Sequence, residues 1–267
     1  NPTWGLYPDV KGVEYRNTLE ETKGSKNKFV GIPDVFDALE TCPVKILDET
    51  KTFLEDSSGL DFRDGKLYAV DNGTGIFWIV EVKEDNSFNI LTEKRVRFKK
   101  DSENPDAKGP DAEGIAVDSS GMVYIASERD NSDKGVNFNS VLMVDPRDSN
   151  RDLVALKEWD LTSLLPQVSA NMGIEAIEWI PRDHIEGKVI DKNTGKPLDL
   201  NSYPNAIGGG IFTVALEDNG HVYGFILNDD ESSSLIFDID SKLGGAMSLD
   251  YDEEERLLWV SADDGYG

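Results

Sequence analysis

Acidic residues stand at the edges of short apolar stretches in this chain, and their spacing could place several carboxylates together. The stretch Asp111-Ala-Glu-Gly-Ile-Ala-Val117 is followed, after a Ser-Ser-Gly turn, by Met122-Val-Tyr-Ile-Ala-Ser127 and then by Glu128. In an antiparallel hairpin, the start of the first strand lies beside the end of the second. We therefore expect Glu113 and Glu128 to share one edge of a hairpin.

The same pattern occurs four times along the chain. The first stretches are Ser-Gly-Leu-Asp-Phe, Glu-Gly-Ile-Ala-Val, Glu-Ala-Ile-Glu-Trp and Met-Ser-Leu-Asp-Tyr, and each second stretch ends at an acidic residue. If the four copies are equivalent in space, their acids converge. The repeat thus indicates six candidate metal ligands: Glu113, Glu128, Glu175, Glu217, Asp71 and Asp263.

The composition limits which metal such a cluster could hold. Carboxylate oxygens without His or Cys ligands favour a hard cation, Ca²⁺ first and Mg²⁺ second. The chain has two histidines, His184 and His221, and one cysteine, Cys42, which excludes a His-rich or Cys-rich zinc site and an intrachain disulfide. On the residues alone, the same acids could equally be turn and strand-edge residues that face solvent.

The elements around these acids predict the fold. Each unit reads as four short strands joined by turns, and the first strand carries a small residue at Gly59, Gly114, Ala176 and Ser248. Units of four strands with small residues in the first strand are typical of β-propeller blades, whose innermost strands crowd the central axis. We therefore predict an all-β fold, a β-propeller of four-stranded antiparallel blades; a β-sandwich with accidental repeats is the alternative.

The units cover most of the chain, and 1–267 is expected to be a single propeller domain. Residues 1–46 are irregular, the strand 153–159 should close the second unit, and a polar insertion at 183–206 interrupts the third. Three units and half of a fourth are visible, whereas five or six blades are expected in the intact protein. Either residues 1–56 complete the last unit, or the natural chain continues beyond Gly267.

The charge of the chain excludes some partners. There are 27 Lys and Arg against 52 Asp and Glu, a formal net charge of −25. Such a chain repels nucleic acid and anionic membranes. No apolar run approaches the 18 or so residues of a membrane helix, so membrane insertion is not expected. The acidity suits cation binding or solubility outside the cell, and a start at Asn1 without Met is expected of a secreted or trimmed chain.

Three phrases carry a resemblance to a known family. The phrase from Asp111 to Glu128 resembles the Glu-Gly…Tyr-Ile-Ala-Glu-Glu phrase of the β-propeller phytases. It is more similar to the families named esterase-like activity of phytase and SdiA-regulated propellers. The phrases Ser58 to Asp71 and Gly173 to Trp179 resemble the Glu-x-Ser-Gly-Leu and Gly-x-Glu-Gly-Leu motifs of those families.

The resemblance implies a secreted or cell-envelope propeller, in the bacterial periplasm or at the surface, with Ca²⁺ in its channel. It implies a hydrolase of phosphoric or carboxylic esters whose partner is a small-molecule ester. Glu113 and Glu128 correspond to channel ligands of the family, and Glu175 and Glu217 follow from the internal repeat. Phosphate-binding propellers also present bases beside the calcium ions. Here Arg129 alone lies within a repeated acidic phrase, which makes it the candidate anion contact.

Two main functions remain open at the level of sequence, beside a calcium-dependent lactonase-like propeller whose sequence phrases are not seen. The first is the calcium-dependent ester hydrolase, which needs neither a Ser nor a His nucleophile. The chain has no Gly-x-Ser-x-Gly elbow, so an α/β-hydrolase type of esterase is excluded. The second is a non-catalytic propeller that is stabilised by calcium and binds a protein or a surface polysaccharide. Whether the chain is an enzyme is therefore undecided by the sequence.

Overall fold

The computed structural model describes residues 56–83 and 87–262, which form an almost entirely β structure. Three sheets with four antiparallel strands each follow one another along the chain, and a parallel fifth strand extends the first of them. A two-stranded hairpin is inserted within the third sheet, and another two-stranded sheet comes after it. The antiparallel strands of each large sheet are hydrogen-bonded in the order in which they follow along the chain, so each such sheet is one blade of a propeller. The predicted β-propeller is confirmed. Residues 1–46 and Asp263 lie outside the described residues, and the number of blades in the intact protein stays a prediction.

The first blade keeps the predicted strands almost residue for residue. Its strands are β1 (Ser57–Arg63), β2 (Lys66–Asp71), β3 (Ile76–Val82) and β4 (Phe88–Arg97). The β1–β2 turn has positive φ at both Asp64 (51°) and Gly65 (75°). Those angles match the two-residue hairpin turns whose twist suits the flanking strands, which explains the Asp-Gly pair in the sequence.

The second blade shows one difference from the prediction. Its strands are β5 (Pro110–Val117), β6 (Val123–Asp130), β7 (Ser140–Val144) and β9 (Lys157–Asp160). The expected single strand over 153–159 is wrong, because its first part, β8 (Asp152–Val154), pairs in parallel with β4 of the first blade. This segment ties two blades together at their outer edges, a long-range pairing that a local pattern does not encode.

The third blade contains the predicted insertion, and the fourth is described over two strands. The third consists of β10 (Ile174–Pro181), β13 (Gly210–Leu216), β14 (His221–Leu227) and β15 (Ser233–Asp240). Between β10 and β13 lie a short helix α1 (Arg182–Ile185) and the hairpin of β11 (Ile190–Asp191) with β12 (Lys196–Pro197). The fourth sheet pairs β16 (Ser248–Asp252) with β17 (Leu257–Ser261).

The innermost strands β1, β5 and β10 pack against one another at their small residues. A Cβ added at Gly59 would lie 2.8 Å from the Cα of Gly114, and one added at Gly114 would lie 2.9 Å from the Cα of Ala176. Side chains cannot approach backbone that closely, so only glycine fits at Gly59 and Gly114. The crowding that the sequence predicts at the axis is therefore a packing requirement of this structure.

Large aromatic and aliphatic side chains fill the spaces between blades. Trp159, Trp179 and Phe212 belong to one buried cluster between the second and third blades, and Val70, Phe77 and Ile115 to another between the first and second. Burying such a side chain contributes about 1.5–3 kcal/mol each. These clusters fix the positions of neighbouring blades, and so of their inner strands, relative to one another. Within the described residues, no helix is long and apolar enough to cross a membrane.

Candidate metal centre at the amino ends of the inner strands

A β-bulge near the start of each inner strand sets the direction of one side chain. Strand register shifts between Ser57 and Gly59, between Ala112 and Gly114, and between Ile174 and Ala176. The residue inside each shift is Ser58, Glu113 or Glu175. A bulge inserts one residue into the strand and re-aims its side chain, often beside active sites. The repeated position seen in the sequence is therefore a repeated bulge.

Three carboxylates meet in the second blade. Asp111, Glu113 and Glu128 each offer an oxygen within 4.8 Å of the others. The side chains are almost fully enclosed, with residue exposures of 0%, 5% and 1%. The hairpin of β5 and β6 supplies all three, since Asp111 and Glu113 lie near the start of β5 and Glu128 near the end of β6. Glu113 and Glu128, which the sequence predicts to share one edge of a hairpin, lie together at that edge.

The neighbouring blades hold these glutamates from both sides. Ser58 Oγ donates a hydrogen bond to Glu113 Oε2 at 2.6 Å, and Asn72 Nδ2 donates to Oε1 at 2.5 Å. From the third blade, the backbone N–H of Gly173 donates to Glu128 Oε2 at 3.1 Å. The centre is thus a meeting point of three blades, and its geometry depends on the packing of the inner strands.

Arg129 supplies a positive charge inside the cluster. Its Nε lies 2.5 Å from Asp111 Oδ2, and one terminal nitrogen lies 3.4 Å from Glu128 Oε1. The same nitrogen donates to the carbonyl of Ala170 at 3.0 Å and to the side chain of Asn171. Arg129, the expected contact for a substrate anion, is thus paired with carboxylates of the protein itself. Contact with a substrate anion stays a prediction.

The burial and crowding of these acids alter their protonation. Burial, partly offset by the Gly173 N–H and reinforced by the neighbouring Glu113, raises the pKa of Glu128 to about 8. Burial also raises the pKa of Glu113, against the hydrogen bond from Ser58. A cation between the carboxylates would favour their ionised forms and reverse this trend. With all three carboxylates ionised, the centre would have more negative charge than Arg129 alone can balance.

A second acidic pair from the third blade adjoins the first group. The carboxyl groups of Glu175 and Glu217 share a hydrogen bond, and burial together with Glu113, Glu128 and Glu217 raises the pKa of Glu175 to about 9. The electrostatic coupling shows that these residues lie within interaction range of the second-blade acids. Four of the six acids predicted from the repeat are therefore brought into one electrostatic group.

The side chains present fit a hard metal ion. The donors are carboxylate oxygens, which are the ligands that Ca²⁺ and Mg²⁺ prefer. Neither carboxylate oxygen of Asp111 accepts a hydrogen bond of good geometry, despite the short approach of Arg129. Buried carboxylate oxygens normally accept hydrogen bonds. Two oxygens of Asp111 that lack them, beside two further carboxylates, are therefore suited to bind a cation.

The two other predicted ligands have different outcomes. Asp71 is buried, and its Oδ1 accepts hydrogen bonds from the backbone N–H of Thr74 at 2.9 Å and from Thr74 Oγ1 at 2.6 Å. It therefore fixes the turn after β2 and is absent from the carboxylate trio of the described residues. Asp263 lies outside the described residues. In the first blade, the neighbouring Asn72 reaches the centre instead.

Sequence reasoning missed three contributors to the centre. Asp111 is only the first residue of the repeated stretch, and the repeat does not single out Ser58 or Asn72 as partners of Glu113. Strand alternation would have suggested that Asp111 and Glu113 share a face, but the two register shifts around Ala112 break the simple alternation. The available signal was the repeat itself, since Ser58 occupies the first-blade position of Glu113.

The fold and the site define a β-propeller with a buried carboxylate cluster at its inner strands. Residues 53–235, more than half of the chain, match the phytase-like family, described as esterase-like activity of phytase. The chain belongs to this family. The resemblance stated from the sequence phrases is thereby confirmed, and the match covers the first three blades up to the start of β15.

Solved structures give more distant likenesses. A protein of Bacteroides uniformis described as a candidate 6-phosphogluconolactonase is 12% identical with a TM-score of 0.38, covering 76% of this chain and 48% of that one. The periplasmic gluconolactonase of Pseudomonas aeruginosa is 13% identical with a TM-score of 0.37, covering 76% and 64%. The chain thus spans about half to two thirds of these structures. No curated protein matches it.

Proposed function

We propose that this chain is a calcium-dependent hydrolase of phosphoric or carboxylic esters that acts at the Asp111–Glu113–Glu128 centre. The observation that carries the proposal is the trio of buried carboxylates, whose oxygens lie within 4.8 Å of one another. Membership of the phytase-like family supports the same chemistry. Metal-assisted ester hydrolysis requires no Ser or His nucleophile.

Each residue at the centre has a proposed role. Asp111, Glu113 and Glu128 would hold the ion, and Glu175 with Glu217 would extend the set of oxygen ligands toward the third blade. When bound, calcium would polarise the ester oxygens and lower the pKa of a bound water. Ser58, Asn72 and the Gly173 N–H fix the orientation of the glutamates. Arg129 would contact the negatively charged oxygen of the ester.

We further propose that the protein works outside the cytoplasm, in the periplasm or at the cell surface. The net charge of −25 suits an environment rich in divalent cations. Extracellular calcium sites work with dissociation constants of about 10⁻⁴–10⁻³ M, which a rigid cluster containing one internal arginine could meet. Fractionation of the native organism, with detection of the chain in the periplasmic or extracellular fraction, would test this location.

The test of the function is ester turnover with and without calcium. The full chain is incubated with p-nitrophenyl phosphate, p-nitrophenyl butyrate and phytate, in 2 mM CaCl₂ or in EDTA. We expect turnover of at least one ester in calcium, and a loss of about 10–100-fold in EDTA or in Glu113→Gln and Glu128→Gln. Glu178→Gln, a buried inner-strand acid distant from the trio, is the matched control and should keep its activity.

A contrary result would favour the second function. If calcium raises the melting temperature while none of the esters is hydrolysed, the hydrolase proposal fails. The calcium-stabilised, non-catalytic propeller that binds a protein or a surface polysaccharide would then be preferred. If calcium changes neither turnover nor melting temperature, the metal centre itself is wrong.

A further inference from the structure

A pocket lies on the same end of the second blade as the carboxylate trio. Its volume is about 570 Å³, and two loops line it: the one between β6 and β7, and the one between β9 and β10. Volumes of about 300–1,000 Å³ are typical of small-molecule sites. Because β6 ends, β7 begins, β9 ends and β10 begins at this end of the blade, the pocket opens on the face where Glu113 and Glu128 lie.

The lining of the pocket is polar but uncharged. Neutral hydrogen-bonding side chains contribute much of it: Asn137, Thr162, Ser163, Gln167 and Ser169. Leu165 and Val168 add an apolar portion, and within the described residues no charged side chain takes part in the lining. Charged residues make up 30% of this chain as a whole. A neutral pocket of this size is therefore a local departure from the rest of the surface.

The pocket wall is attached directly to the metal centre. The Ala170 carbonyl, which lines the pocket, accepts a hydrogen bond from Arg129 at 3.0 Å. The two loops that line the pocket are also tied together: Asn139 accepts the backbone N–H of Ile174 through its side chain at 2.9 Å and that of Leu161 through its carbonyl at 2.8 Å. The pocket and the centre thus share a rigid frame, and Arg129 contacts both.

We propose that this pocket binds a neutral, hydroxyl-rich group, which is a sugar or another polyol. This inference rests on the proposed hydrolase function and specifies the class of its substrate. Amide and hydroxyl side chains exchange hydrogen bonds with substrate hydroxyls, and Leu165 and Val168 pack against the apolar face of a ring. A substrate with several phosphates would need Lys and Arg in the lining to balance its charge. The substrate is therefore an ester of a neutral polyol that carries a single reacting group.

The test compares two probes that share one ring and differ in charge. The full chain, labelled with ¹⁵N and kept in EDTA, is titrated with myo-inositol and separately with myo-inositol hexakisphosphate, while backbone amide shifts are recorded. D-glucose serves as a second neutral probe. We expect saturable shifts confined to 135–139 and 161–171 with a neutral probe, and at least tenfold weaker binding of the hexakisphosphate there. Saturable binding of the hexakisphosphate as tight as that of the neutral probes, or no shifts in these loops with either neutral probe, would overturn the proposal.

Substitutions locate the site. Ser163→Trp and Ser169→Trp fill the pocket and should weaken the neutral probe at least tenfold. Ser149→Trp places the same side chain on an exposed turn of the same blade and should leave binding unchanged. Equal binding by all three variants would contradict the assignment.

The experiment separates this proposal from the hydrolase. Because the titrations in EDTA need neither calcium nor turnover, neutral-probe binding without ester hydrolysis would retain the pocket and reject the hydrolase. Hydrolysis of p-nitrophenyl esters in calcium, without shifts in the two loops, would retain the hydrolase and reject the pocket.

Discussion

The inner strands carry buried acidic residues at both ends, and the groups that surround these residues differ between the two ends. At the amino ends, Asp111, Glu113 and Glu128 face one another within 4.8 Å. Toward the carboxyl ends, Asp61 and Glu178 come from different blades, and each accepts a backbone N–H from an inner strand. Val117 N donates to Asp61 Oδ2 at 2.6 Å, and Trp179 N donates to Glu178 Oε1 at 2.7 Å.

Burial favours the neutral forms of the acids at the carboxyl end, as it does at the amino end, but the surrounding groups differ. Burial raises the pKa of Asp61 to about 6, and burial with the nearby Asp61 raises the pKa of Glu178 well above its usual range. Arg63 lies close to both, with its guanidinium 4.7 Å above the Trp179 ring, and it also pairs with Glu253 at 2.7 Å. Protons and one arginine therefore balance this end.

The contrast indicates which end is built for a cation. At the carboxyl end, the unpaired N–H groups of the inner strand edges provide the donors that the acids need. At the amino end, bulges turn the acids of successive blades toward one another, and both oxygens of Asp111 lack a hydrogen bond of good geometry. Several carboxylates with few donors and one arginine leave negative charge that a divalent ion would neutralise.

The largest predicted effect comes from removing the internal cation. Arg129→Gln leaves Asp111 and Glu128 without their positive partner, and breaking a buried ion pair typically costs about 3–5 kcal/mol. We expect a loss of this size in EDTA, measured by urea unfolding. In millimolar calcium the loss should be smaller, since the bound ion replaces the missing charge.

A matched surface pair provides the control for this variant. Arg147 pairs with Asp145 at 2.6 Å but is largely exposed. Exposed pairs contribute about 0–1 kcal/mol, so Arg147→Gln should be close to neutral in both buffers. An equal loss for Arg129→Gln in EDTA and in calcium would show that metal and arginine do not act on the same carboxylates.

Calcium itself gives the next largest effect. A ligand that binds only the folded state adds about 2.7 kcal/mol at a hundred times its dissociation constant. For a chain of this size, that corresponds to a rise in melting temperature of roughly 5–10 °C. Glu128→Gln should abolish most of the rise, whereas Glu178→Gln at the other end should retain it. Differential scanning fluorimetry over a calcium titration measures both, and an identical response from the two variants would remove the distinction between the ends.

The sequence predicted the fold and the hairpin edge but not the complete centre. Strand positions followed from alternation and from Asp-Gly and Asn-Gly turns, and the axial crowding followed from Gly59 and Gly114. These are local signals, set by backbone geometry that a few residues specify. The parallel pairing of β8 with the first blade was not predictable, because it depends on a contact between residues more than 50 positions apart.

The remaining parts of the centre depend on side chains that meet only in the folded chain. Ser58 and Asn72 reach Glu113 from another blade, and the approach of the two inner strands at Gly59 makes that contact possible. Arg129, expected from the sequence as an anion contact, lies beside these acids, and its contact with a substrate anion stays a prediction. Its pairing with Asp111, two residues before Glu113 on the opposite strand, follows from register shifts that the sequence does not display.

The smallest predicted effect concerns pH. At pH 8 in calcium, replacing a carboxylate by its amide should stabilise the chain at the carboxyl end and destabilise it at the amino end. Asp61 has a folded-state pKa of about 6, above its unfolded value of about 3.9, so the folded state holds its proton more tightly. Stability is therefore lost as pH rises from about 4 to about 6 and stays lower above that range. Asp61→Asn keeps an oxygen for the Val117 N–H and removes the charge. At pH 8 it should stabilise the chain by about 1–3 kcal/mol, with little change at pH 4.

Urea unfolding in calcium at both pH values measures this change in stability, with Asp111→Asn as the counterpart at the amino end. Asp111→Asn should destabilise at pH 8, because its charge serves the metal. If Asp61→Asn also destabilises at pH 8, both ends of the inner strands require ionised carboxylates, and the assignment of the cation to the amino end loses its basis.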